Sequence, residues 1–140
     1  MRKQYQNLCL ALFCISVVLV VPLRSWAQSA QQQVQGQALV RLHCTRCHVV
    51  ADINPYGGIG MTPSFGAIKS LPDWQERFEA FWTLLPHPSV VQLEGITPQR
   101  PENAPATLKQ IMLRLDEVEA IMAYIHTLPA KDLGATIIYK

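Results

Sequence analysis

Apolar residues fall at helical spacing in three stretches of this chain and lose their period between them. Val34, Ala38, Leu39 and Leu42 line one face of a first helix that carries the chain into Cys44. Trp74, Phe78, Phe81, Trp82 and Leu85 stand at i, i+4, i+7, i+8 and i+11 and predict a second, strongly aromatic helix. It opens at Pro72-Asp73, with Glu76 placed as in a capping box, and Pro86 ends it. Val118, Ile121, Met122, Ile125 and Leu128 mark a last helix that starts at Asp116, with Glu119 three residues on, and stops at Pro129. The pattern predicts an all-α domain.

The connections lack that period. Residues 28–33 open a glutamine-rich segment that reads as a mobile lead-in, and residues 130–140 form a tail in which Ile137-Ile138-Tyr139 fits a short strand or loose packing. From Val49 to Phe65 three glycines and two prolines forbid regular structure. Between Pro86 and Thr107 five prolines and few periodic apolar residues predict a long loop. Gly36 sits inside the first helical pattern, where glycine costs about 1 kcal/mol relative to alanine. Either another helix presses against it or the first turn is frayed there.

The amino terminus follows a different logic. Arg2 and Lys3 precede an apolar run from Leu8 to Leu23, and Ser25-Trp26-Ala27 follows. Basic, apolar and small residues in that order read as a secretory signal cleaved after Ala27. The alternative is an uncleaved anchor, for which the run is short against the roughly 20 residues a bilayer span needs. Cleavage leaves 113 residues, enough for one domain over residues 34–129 and too few for two.

Composition matters after that correction. The full chain carries a formal net charge of +2, but all ten acidic residues and only nine basic ones lie beyond residue 27. The mature part is slightly acidic, which gives no reason to expect a nucleic-acid partner or, once the signal is gone, a membrane. Cys9 and Cys14 leave with the signal, so the four cysteines are not a disulfide framework.

The two that stay are Cys44 and Cys47 in Cys44-Thr45-Arg46-Cys47-His48, the pattern of a covalent haem attachment site. Two thiols three positions apart on a helical turn can each bond one haem vinyl group, and the adjacent His48 is carried beneath the iron. A redox dithiol would follow a strand, and here the upstream residues read as helix. A zinc site would need a second Cys/His pair, and no cysteine lies downstream of Cys47. The free ring N–H of His48 then needs an acceptor to orient the imidazole, and a backbone carbonyl near Pro63 is available for it. The aromatic face, with Trp74, Phe78 and Trp82, is read as core that doubles as a wall of the haem crevice.

With these elements the chain resembles the small monohaem class I cytochromes c over residues 34–128. The resemblance implies an all-α cytochrome c-like fold, with crossing amino- and carboxy-terminal helices and one haem c in an apolar crevice under a long distal loop. It gives Gly36, eight residues before Cys44, a partner in Tyr124 of the last helix, and assigns Thr62-Pro63-Ser64-Phe65 to the proline segment whose carbonyl bonds the axial histidine. The pattern breaks at the distal ligand. Similar bacterial cytochromes place a methionine in His-Pro-x-Met, but here His87-Pro88 is followed by Ser89-Val90. Met61 lies in the proximal segment and Met122 on the apolar face of the last helix. Met112 is the leading distal candidate, with His87 and an open or water-filled site as alternatives. His43 and His126 are given solvated or structural roles.

The expected function is electron transfer without substrate chemistry, as an exported carrier or the haem subunit of a periplasmic redox complex. Its partners would be redox proteins, namely a dehydrogenase, an oxidase or a membrane complex. The compartment would be the periplasm or the exterior, or the outer face of the inner membrane if the anchor is kept. The competing readings are a haem protein with an open distal side, binding small gases or acting as a weak peroxidase, and a thiol-disulfide module.

Overall fold

The computed structural model describes residues 28–101, 103 and 109–134. The signal or anchor expected over residues 1–27 and the Ile137-Ile138-Tyr139 tail lie outside them. The chain divides into two units, residues 1–31 and 32–140. Of the first, residues 28–31 are helical and exposed. Glutamine and alanine are good helix formers, so the glutamine-rich segment expected to lead in loosely has helical backbone instead. Among the described residues no helix is long and apolar enough to cross a membrane.

The second unit opens with α1, residues 32–43, followed by α2 (Phe65–Lys69), α3 (Trp74–Glu79) and α4 (Leu115–Thr127). Two three-residue strands, β1 (Val91–Leu93) and β2 (Ile111–Leu113), pair in parallel with Val91 opposite Ile111, Gln92 opposite Met112 and Leu93 opposite Leu113. The molecule is therefore helix-rich rather than purely helical. Val91, Gln92 and Leu93 are all buried, and β-branched residues around them suit an extended, enclosed segment. Periodicity could not show it, because three residues carry no period.

Burial centres on α4. Val118, Ile121, Met122, Ile125 and Leu128 are all buried, Ile125 completely, and they share a core with Val40, Val50, Phe65, Phe78, Val91, Leu93 and Leu113. Each large side chain buried this way stabilises by about 1.5–3 kcal/mol. Ala120 and Tyr124 on the adjoining face are buried as well, and there Gly36 meets α4. A Cβ on Gly36 would stand 1.8 Å from the Ala120 carbonyl oxygen and 2.9 Å from Tyr124 Cβ, so no other residue fits.

Two helix boundaries differ from the sequence expectation. α4 starts one residue early, because Arg114, extended after β2, donates its N–H to Glu117 Oε2 at 2.9 Å. Glu117, not Glu119, is the reciprocal capping group. The aromatic helix breaks at Ala80, whose φ of −123° ends α3, and a 3-10 turn over Phe81–Thr83 follows. Aromatic and β-branched residues are middling helix formers, and Pro86 keeps Leu85 out of helical geometry. At the far end of α4, Lys69 Nζ donates to the carbonyls of Ile125 and His126 at 2.9 and 3.2 Å, placing a cation where the helix exposes unpaired acceptors.

Candidate functional site

The pentapeptide is a helical turn continuing α1. Cys44 N–H donates to the Val40 carbonyl at 2.9 Å, and the Cys44 carbonyl accepts from Cys47 N–H at 3.1 Å and His48 N–H at 2.9 Å. Both sulfurs are free thiols on half-buried residues. Burial, reinforced by the neighbouring Cys47 charge, pushes the Cys44 thiol up to about 12. Nucleophilic cysteines of dithiol oxidoreductases are shifted the other way. Among the described residues no group of three or more His, Cys, Asp or Glu side chains is placed to hold a metal ion.

Three devices hold the turn against the loop behind it. Asn54 Nδ2 donates to the carbonyls of Thr45 and His48 at 2.9 and 2.8 Å, while its Oδ1 accepts from Val50 N–H at 2.8 Å. One side chain thus satisfies three backbone groups. Gly58, at φ +80°, lies where a Cβ would come within 3.1 Å of the Cys47 carbonyl oxygen, and Ile59 N–H donates to that carbonyl at 2.9 Å. Phe65 N–H reaches the Val49 carbonyl at 2.9 Å and brings Thr62–Phe65 beneath His48. Ser64 Oγ accepts from Ala67 N–H and starts α2 at that point.

His48 Nδ1 lies 2.8 Å from the Pro63 carbonyl oxygen. A carbonyl only accepts, so Nδ1 carries the proton and Nε2 keeps a lone pair. Burial lowers the pKa of His48, the bond to Pro63 opposes that and the nearby His87 adds to it. The net shift favours the neutral imidazole.

His87 faces the same place. Its ring is within 4° of parallel to that of His48, with centroids 5.9 Å apart. Its Nδ1 is 3.0 Å from the Leu84 carbonyl oxygen, which again leaves Nε2 with the lone pair. Met112, the leading distal candidate, sits in the middle of β2, opposite Gln92 and 48% exposed. Met61 is 98% exposed and Met122 belongs to the core.

Aromatic rings flank the histidine pair. Phe65 meets His48 edge-on at 5.2 Å and Phe78 at 4.9 Å, and Phe81 meets His87 at 5.5 Å and Trp82 at 5.5 Å. Trp74, expected to line a crevice with Phe78 and Trp82, packs instead on Phe78 and His126, beneath Lys69 Nζ. The rings touching the histidines are Phe65 and Phe81. Asn54, the ring contact of Phe65 with His48 and the Leu84 carbonyl escaped the sequence reading. An amide residue six positions after His48, in a loop with many unpaired backbone groups, was a usable signal for Asn54; a carbonyl leaves none.

The residues present fit a covalently held haem. Two thiols precede an imidazole whose Nε2 is left free by its carbonyl anchor, and a second imidazole bonded to a carbonyl in the same way lies 5.9 Å from it, ring centre to ring centre. Cys44, Cys47 and His48 would hold the group, with Pro63 orienting His48.

Over 76 residues the chain is 33% identical to cytochrome c-552 of Bradyrhizobium diazoefficiens, a match spanning 54% of this chain and 72% of that protein. No family model and no solved structure matches.

Proposed function

Since this chain belongs to the c-type cytochromes, we propose that it is a small monohaem class I member that carries single electrons. Cys44 and Cys47 would hold one haem c through thioether bonds, and the group would supply a one-electron couple between a reduced donor protein and an oxidised acceptor. The protein's own part is to hold that iron in a fixed setting. His48 would offer its Nε2 lone pair to the iron, the Pro63 carbonyl keeps the ring from rotating, and Asn54 fixes the backbone on which the ring is mounted. Phe65 and Phe81 exclude water from either side of the histidine pair, which disfavours the more charged ferric state. α1 and α4 cross at Gly36 and close the fold around the site. No substrate is transformed, and the partners are redox proteins meeting the haem edge, with the chain acting as a free carrier or as the haem subunit of a periplasmic complex.

The observation that carries this reading is the 2.8 Å contact from His48 Nδ1 to the Pro63 carbonyl beside two free thiols. Export through residues 1–27 belongs to the same proposal, because attachment of c-type haem takes place outside the cytoplasmic membrane in similar bacterial proteins. The test is to express the full chain in a host able to attach haem and weigh the product. The expected mass is that of the polypeptide after Ala27 plus one haem, with a c-type pyridine haemochrome spectrum and a one-electron redox titration. A mature chain weighing only its amino acids refutes the proposal.

A further inference from the structure

We propose that His87 is the second axial ligand of the haem iron, so that this cytochrome is ligated by two histidines. The inference rests on the haem reading above and concerns what stands opposite His48.

Spacing supports it first. Metal–imidazole bonds are about 2.0 Å, and a five-membered ring of roughly 1.33 Å bonds has a radius of about 1.1 Å. Two imidazoles on opposite sides of one iron therefore have ring centres about 6.2 Å apart. The centres of His48 and His87 are 5.9 Å apart.

Tautomer supports it independently. Each ring uses its Nδ1 proton on a backbone carbonyl, Pro63 for His48 and Leu84 for His87, so both Nε2 lone pairs are left to donate. Coordination at Nε2 breaks neither bond. Hydrogen-bonded histidine of this kind is the usual form of an imidazole bound to a metal. The ring of His87 is further steadied by the edge of Phe81 and by the 3-10 turn His87–Ser89.

Among the described residues the thioethers are placed elsewhere. Met112 is on a half-exposed strand position, Met61 is exposed and Met122 is in the core. The chain thus reverses the His-Pro-x-Met arrangement: the histidine of the pair takes the place at the iron, and Val90 stands where the methionine would be.

The experiment uses the haem-loaded full chain. The ferric wild-type protein is expected to be low-spin and to lack the methionine–iron absorption band. Near-parallel imidazole planes act on the same iron d orbital, so its paramagnetic resonance spectrum is expected to be rhombic with three resolved features. The ferrous form is expected not to bind carbon monoxide on mixing. His87→Ala should lose the low-spin spectrum and bind carbon monoxide at once, and added imidazole should restore the original spectrum. Met112→Ala should change neither. His87→Met provides a variant that keeps a ligand; gain of the methionine band with a raised potential supports the assignment. A methionine band in the wild type, or a His87→Ala spectrum identical to wild type, overturns it while leaving the haem reading intact. A wild-type chain without haem removes both.

Discussion

The two histidines are alike in chemistry and opposite in the way they are held. His48 is anchored from far along the chain: its ring bonds a carbonyl 15 residues on, and its backbone is tied by Asn54, while Gly58 packs behind it. His87 is anchored from nearby, by the Leu84 carbonyl three residues back and by a turn in which Ser89 Oγ donates to the Pro86 carbonyl. One side of the site is thus a product of the tertiary fold, the other of a local turn seated on β1. Contacts that span long stretches of sequence persist until the domain opens as a whole, whereas a local turn opens alone.

The sharpest way to break that contrast is at the centre. His48→Ala is expected to reduce attached haem to background in a host that loads the wild type, measured by haem stain against protein. Next in size is Gly36→Val, where side-chain atoms must displace the Ala120 carbonyl; about 3 kcal/mol of stability or more should be lost, read from urea unfolding. Asn54→Ala strands the Thr45 and His48 carbonyls and the Val50 N–H, and should cost about 1–3 kcal/mol in the same assay. It should also broaden the iron spectrum, because His48 loses its mounting, whereas Ser89→Ala on the other side should do so far less.

The smallest effect is electrostatic. Hydrogen bonding and charge from Arg77 and Arg114 hold the Asp73 and Asp116 carboxyls below their ordinary range near 3.8. Their ionised forms are therefore favoured in the folded state. The stability they contribute is fully present above pH 3.8 and is lost as pH falls through the lowered values. Both carboxyls are exposed, so Asp73→Asn with Asp116→Asn should flatten the acid limb of a stability–pH curve slightly, and salt should mask the change.

Legibility in the sequence followed the same division. The attachment pentapeptide and the α4 face were readable because each repeats a rule at fixed spacing, and Gly36 stood out as a local cost that only a neighbour could explain. The break at Ala80 was hard to read, since the aromatic period continues across it and the middling propensity of its residues does not fix the position at which the helix stops. β1 and β2 were too short for a period. Glu117 and Glu119 both fit a capping box, and the choice between them depends on where β2 delivers the chain. The Met112 expectation came from its distance along the chain from His48 and its place before the last helix, and pairing with β1 leaves that residue 48% exposed.

The rings on the two sides have an optical consequence. Trp82 lies three ring contacts from His48, through Phe81 and His87, and Trp74 lies the same number away, through Phe78 and Phe65. A porphyrin between the histidines would absorb the emission of both indoles over such short paths. The loaded protein should be nearly dark in the near ultraviolet, and it should brighten as it unfolds, giving a gauge of its own integrity without any added dye.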